Sequence, residues 1–331
     1  VTPWGVQAVG APTYWAALGA SGRGAGVRVA VLDTGLDVGH PDLPAPIIGR
    51  NYDPARSSSN ISDHDGHGTH VAGTILARDN GIGVVGVAPL ASLLVYRVCY
   101  LISNETLCPQ SAIISALGAA TDDGAKVSNL YLRVAGGSAD DPMCEAVMHA
   151  TGDHRVVVVS AGNDALIGNP VNYPAACPFA VSVAALNMNL TRADFSTFND
   201  FVDIAAPGVS VLSTYPRALW SPGYDGLQGT SMAAPHVAGV AALLMGHFGH
   251  HPRPNPTRFA MLNGALDLGP TGRDDFFGSG LVRSAESAGF RAQRSDVNIE
   301  RTRFEVLDVN RDYLNLASGD FAQTTVYSPV T

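Results

Sequence analysis

Residues 27–35 read Val27-Arg28-Val29-Ala30-Val31-Leu32-Asp33-Thr34-Gly35. Five of the first six are apolar, three are β-branched, and the run lies between Gly26 and an Asp-Thr-Gly turn. Apolar residues fall at both odd and even positions, so no face of the run is built for water. Such a short run reads as a strand buried on both sides, the usual condition of parallel sheets.

Working outward, residues 92–98 (SLLVYRV) and 156–160 (VVVVS) repeat the pattern. Between them, residues 111–124 read as a helix, with Ser111 able to cap its start and Gly124 standing where a left-handed residue ends it. Residues 126–134 follow as a strand, and residues 144–151 as a helix. Residues 180–185 and 202–205 are two more short strands, and residues 231–246 are apolar all round, a buried helix. Strands alternating with helices imply βαβ units. The expected fold is therefore an α/β three-layer sandwich with a central, mostly parallel sheet. Residues 1–290 read as one domain. Composition turns polar at residues 292–303 (AQRSDVNIERTR), so residues 291–331 are expected to be a short, β-rich extension.

Only 15% of the 331 residues are charged, against roughly 25% in an average soluble domain. That excludes a disordered polyampholyte and a solvated coiled coil. The formal net charge of −9 disfavours a nucleic-acid partner. No apolar run approaches the ~18 residues that cross a bilayer, so no membrane association is expected. The chain starts at Val1 rather than Met and reads as a processed form. Four cysteines allow three pairings and suit an oxidising compartment. Cys99 and Cys108 bracket a polar loop, residues 100–107. Their pairing is the expectation, which leaves Cys144 with Cys177; four free thiols are the alternative.

Three polar residues stand at informative places. Asp33 ends the opening strand, where ligand sites of open α/β sheets form; it can orient an imidazole or simply close a turn. His67 lies in Asp65-Gly66-His67-Gly68-Thr69-His70, with glycines that permit close backbone approach. It can be a general base or a structural histidine. His64, His67 and His70 also stand three apart, which leaves open a metal-dependent hydrolase, although the Glu of His-Glu-x-x-His is missing. Ser231 opens the apolar helix within Gly229-Thr230-Ser231-Met232-Ala233-Ala234-Pro235-His236, with Pro235 in about its first turn. It is a nucleophile only if a base takes its proton, and otherwise an N-cap.

Taken together, VAVLDTG, HGTHVAG and GTSMAAPHVAG, once each and in that order, resemble the subtilisin-like serine proteases, secreted proteinase K-like and bacterial extracellular branches included. The likeness runs from Trp4 to Val282. It implies a secreted serine endopeptidase acting on protein and peptide substrates through Asp33, His67 and Ser231. Asn163 of Ser160-Ala161-Gly162-Asn163 and the Ser231 backbone N–H would form the oxyanion hole, and Ser160, Ala161 and Gly162 would flank substrate. No catalytic cofactor is implied. The resemblance further implies an N-terminal propeptide in the precursor and a monomer. A structural calcium is implied at Asp42 and Asn80 with carbonyls of Arg78, Ile82 and Val84, and a weaker one near Pro178, Ala180 and Asp203. Where the family's substrate-binding strand has small residues, this chain has Tyr131, Leu132 and Arg133. Arg133 would narrow the cleft, unless a two-residue bulge restores Ala135-Gly136-Gly137 to it. A catalytically weak binding protein on the same scaffold is the alternative. Sequons stand at Asn60, Asn104 and Asn189.

Overall fold

The computed structural model describes residues 1–102, 105–130, 138, 141–152, 154–248 and 256–293. The run Tyr131, Leu132 and Arg133, the sequon at Asn104 and the whole of residues 294–331 lie outside the described residues.

The strands are β1 (Arg28–Asp33), β2 (Ile48–Asn51), β3 (Ser92–Arg97), β4 (Tyr100–Ile102), β5 (Glu105–Leu107), β6 (Val127–Leu130), β7 (Val156–Ser160), β8 (Val181–Leu186), β9 (Ile204–Pro207), β10 (Val211–Thr214) and β11 (Tyr224–Leu227). The helices are α1 (Trp4–Ala8), α2 (Ala11–Leu18), α3 (His67–Leu76), α4 (Gln110–Asp122), α5 (Pro142–Ala150), α6 (Thr230–Phe248), α7 (Pro256–Asn263) and α8 (Ser284–Gln293). Seven strands form one sheet in the order β2-β3-β1-β6-β7-β8-β9, and every pair in it is parallel.

In β1 the side chains alternate between two cores. Val29 and Val31 join the layer that contains α3 and α6, while Ala30 and Leu32 join the layer of α4 and α5. Both faces are thus covered, which is why β1 shows no polar alternation. After β1 the chain moves toward β2; after β6 it moves toward β7. Adjacent β1 and β6 therefore send their connections opposite ways, and a crevice opens beyond their carboxyl ends. Asp33 stands at that point.

Element boundaries moved for local reasons. Helix α5 begins at Pro142, not Cys144, because the Asp141 side chain accepts from Met143 N and Pro142 suits the first turn. Helix α4 starts at Gln110 without a side-chain cap, so Ser111 is not its N-cap. The loop at residues 100–107 is an antiparallel hairpin, Tyr100 pairing Leu107 and Ile102 pairing Glu105, closed by the Cys99–Cys108 bond. Cys144 is bonded to Cys177. Helix α6 begins at Thr230, so Pro235 is its sixth residue rather than part of its first turn. Its missing N–H removes the helical partner that the Ser231 carbonyl would otherwise have. Among the described residues, no helix is long and apolar enough to cross a membrane.

Candidate active site

His67 is the first residue of α3, directly after Gly66, whose φ of +105° only glycine adopts readily. Its Nδ1 lies 2.8 and 2.9 Å from the two carboxylate oxygens of Asp33. Nδ1–H donates there, so Nε2 is the basic nitrogen of the neutral ring. Asp33 is 1% exposed, and its Oδ1 also accepts from Thr34 N at 2.7 Å. Burial pulls the His67 pKa down, but the charge and hydrogen bond of Asp33, with Asp65 and Asp63 beyond, outweigh it and hold it above the usual 6.5.

Ser231 is the second residue of α6, and α6 packs against α3, so the helices bearing His67 and Ser231 share an interface. Asn163 follows β7. Its Oδ1 accepts from both Thr230 N and Thr230 Oγ1 at 2.9 Å, which uses a helix N–H that has no partner inside α6. With the oxygen so engaged, the amide's Nδ2 is turned the other way. A Cβ placed on Gly229 would stand 3.4 Å from Asn163 Nδ2, 3.5 Å from Ser231 Oγ and 3.6 Å from Ser231 N. One hydroxyl and two N–H donors therefore surround a common space that a glycine leaves open. An acyl group on Ser231 Oγ would direct its oxygen toward such donors. Ser160 and Ala161 are buried and Gly162 partly so; Gly162 N donates to Thr230 Oγ1 at 3.2 Å.

The three histidines spaced by three do not converge. His64 Nε2 is 3.1 Å from Arg56, His67 faces Asp33, and His70 Nε2–H donates to Val211 O at 2.9 Å deep in the core. Among the described residues no group of three or more His, Cys, Asp and Glu side chains could hold a metal ion. The metal-dependent reading is thereby corrected: His64 precedes α3, and within α3 His67 and His70 find partners on different sides.

Asp42 is fully buried beneath the loop at residues 78–84. Its backbone O accepts from Arg78 N and its Oδ2 from Val84 N, both at 2.8 Å. Oδ1 has no donor in hydrogen-bonding geometry, although the Tyr224 hydroxyl is held high in pKa by burial and by this carboxylate. Arg78, Asn80, Ile82 and Val84 line a cavity of about 120 Å³. Asn80 Oδ1 accepts from Ile82 N at 3.1 Å and keeps a lone pair. Although it is not among the residues that line this cavity, the Asp42 carboxylate suits a hard cation in kind. Asp203 does not: its Oδ2 accepts from Ser182 N at 2.9 Å and its Oδ1 from Arg258 at 3.1 Å. A guanidinium already neutralises the carboxylate expected near Pro178 and Ala180.

Sequence reading passed over several groups that hold the site. Asp63, Thr34, Thr69 and Thr230 are buried polar residues bonded around Asp33, His67 and Asn163. Asp63 stands three residues before Gly66, a spacing that lets a carboxylate cap a helix start; that was the available signal. Tyr215 OH donates to Asp65 O at 2.9 Å from a loop 150 residues away, and no local pattern announces it.

Residues 24–280 match the model of the subtilase family. The chain is 41% identical over 292 residues to Subtilisin Savinase of Lederbergia lenta, an overlap covering 86% of this chain and 98% of that one. It is also 41% identical over 292 residues to M-protease of Shouchella clausii (strain KSM-K16), covering 86% of this chain and 69% of the other. Thermitase of Thermoactinomyces vulgaris is 39% identical over 243 residues, covering 73% of this chain and 81% of that one.

Proposed function

The chain belongs to the subtilase family and is a secreted serine endopeptidase, and we propose that Asp33, His67 and Ser231 are its catalytic residues, with Asn163 and the Ser231 N–H as its oxyanion hole. The observation that carries the assignment is the paired contact of His67 Nδ1 with both Asp33 oxygens at 2.8 and 2.9 Å. Such a contact holds the tautomer in which Nε2 can take a proton. Ser231 Oγ attacks the scissile carbonyl while His67 takes its proton. Asp33 stabilises the imidazolium, which then protonates the leaving amine. The acyl-enzyme is hydrolysed by water that His67 deprotonates in turn. Asn163 and the backbone N–H of Ser231 stabilise the oxyanion in both halves of the reaction. Active-site labelling tests this: a fluorophosphonate should modify Ser231, and Ser231→Ala should abolish casein clearing with the fold intact. Full activity in Ser231→Ala would refute the assignment.

Asp42 and Asn80, with carbonyls of Arg78, Ile82 and Val84, would hold a structural calcium, whose binding to the folded state adds stability. Protein and peptide substrates would lie along Ser160, Ala161 and Gly162 on one side and Tyr131, Leu132 and Arg133 on the other. With Arg133 in the cleft, bulky hydrophobic P1 peptides turn over slowly and acidic side chains are tolerated. Arg133→Gly should reverse both, and unchanged profiles would remove Arg133 from the cleft. Residues 1–290 carry the activity, the precursor bears an N-terminal propeptide, and the mature enzyme is a monomer.

A further inference from the structure

Asp63 is a carboxylate 7% exposed that the proposed mechanism does not use. Its Oδ1 accepts from Thr34 Oγ1 at 2.9 Å, Asp65 N at 3.1 Å and Gly66 N at 2.8 Å. Its Oδ2 accepts from Thr69 N at 2.9 Å and Thr69 Oγ1 at 2.6 Å. Five donors on one carboxylate go beyond what capping a helix requires; one or two N–H groups suffice for that. The Thr34 hydroxyl that donates to Asp63 also accepts from Gly68 N at 2.9 Å. Residues 65, 66, 68 and 69 are thus all tied, directly or through one hydroxyl, to Asp63. Residue 67, whose side chain is the imidazole, donates its own N–H to Asp65 Oδ1 at 3.3 Å.

The other end of this net is the residue after Asp33. Thr34 carries the bond to Asp63, and its backbone N–H donates to Asp33 Oδ1 at 2.7 Å. Behind it, Arg97 is 3% exposed and donates from Nε to Thr34 O at 3.2 Å. Arg97 also reaches Asp53 at 3.4 Å, so Thr34 is gripped from both sides. The approach of the two segments is close: a Cβ on Gly68 would fall 2.4 Å from Gly35 O and 3.2 Å from Asp33 Cβ. Strand β1 and helix α3 are far apart in sequence, and nothing covalent sets the distance between Asp33 and His67.

We propose that Asp63, acting through Thr34, is a positioning residue that sets the distance and orientation between Asp33 and His67. This rests on the reading of those two residues as catalytic. The net acts on where the base stands, not on substrate binding, so its loss lowers kcat and spares KM. A misplacement of about 1 Å in such a constellation costs up to ~10²-fold.

Asp63→Asn keeps an acceptor at Oδ1 but turns an NH2 toward the Thr69 N–H and hydroxyl, so the α3 side of the net opens. Thr34→Val removes the hydroxyl that joins Asp63 to Gly68, and Thr34→Ser restores it. Expected are a ~10–100-fold fall in kcat for Asp63→Asn and Thr34→Val, KM within about 2-fold, and recovery of most of kcat in Thr34→Ser. The rate of fluorophosphonate labelling of Ser231 should fall by the same factor, since it needs the same base. Should Asp63→Asn fail to fold, the comparison of Thr34→Val with Thr34→Ser decides alone. The proposal is overturned if folded Thr34→Val keeps kcat within about 3-fold, if KM rises as kcat should fall, or if Thr34→Ser is as impaired as Thr34→Val. Unlabelled Ser231 and an active Ser231→Ala would instead refute the catalytic assignment itself.

Discussion

Asn163 allows the two tasks of one amide to be separated. Its oxygen accepts from Thr230 N and Thr230 Oγ1, each at 2.9 Å, and its nitrogen faces the space shared with Ser231. Asn163→Asp preserves shape and both bonds from Thr230 but replaces the donor with a carboxylate oxygen. Loss of one oxyanion donor raises the barrier by about 3–4 kcal/mol. The new negative charge adds repulsion. With the oxyanion ~3 Å away and an effective dielectric of about 20, Coulomb's law gives up to ~5 kcal/mol more. The fall in kcat should therefore exceed ~10³-fold, beyond what donor loss alone produces. Asn163→Ala should behave differently. It loses the donor without adding charge, so kcat falls ~10²–10³-fold. It also strands the N–H and hydroxyl of Thr230, a residue with no exposed surface, at a cost of about 1–3 kcal/mol in stability. Burst-phase kinetics on a chromogenic peptide ester and thermal unfolding of both variants measure the two effects. Aspartate should be the worse catalyst and the better folder. An Asn163→Asp enzyme as active as Asn163→Ala, or less stable than it, would refute this division of labour.

For pH, His67 must be neutral to accept the Ser231 proton, and Asp33 holds its pKa above 6.5. kcat/KM should rise with pH through a midpoint above that value, and a midpoint below about 6 would contradict the Asp33 contact. Stability should also fall at low pH: burial depresses His70 to about 3 and His236 to about 4. Both are neutral when folded and protonate near 6.5 when unfolded, so stability is intact above that pH. It should fall by about 3 kcal/mol per pH unit between roughly 6 and 4, which urea titrations across that range would register. Cross-link removal should follow loop length: Cys144 and Cys177 lie 33 residues apart and Cys99 and Cys108 only 9. Paired serine replacements should cost about 4 and about 3 kcal/mol in that order, read from denaturant midpoints. Chelation of calcium should lower the melting temperature, and Asp42→Ala should remove most of that sensitivity; equal melting of the parent with excess calcium and after complete chelation would leave the cavity without its ion.

What the sequence alone determined is what depends on near neighbours. Residues 27–32 declare a strand buried on both faces because apolar side chains occupy both parities, and β1 does split Val29 and Val31 from Ala30 and Leu32 between two cores. Asp33, His67, Asn163 and Ser231 each sit at the end of an element with a glycine or a turn beside it, but it is the likeness of the segments around them to the subtilases that singles them out. Caps misled where two candidates adjoined: Asp141 with Pro142 outcompeted the position of Cys144, since an aspartate cap and a proline at the first turn reinforce each other. Only the tertiary structure decided which of three evenly spaced histidines faces a carboxylate, because His64 lies in the loop before α3 and the surroundings choose the partners of His67 and His70. It also decided that Arg258 neutralises Asp203, and that Asp63, Thr34 and Tyr215 brace the loop that presents His67. Those partners lie 29 to 150 residues apart. Hydrogen bonds between such distant groups leave no period in the sequence; they exist only once a parallel sheet has brought the ends of its strands to one edge.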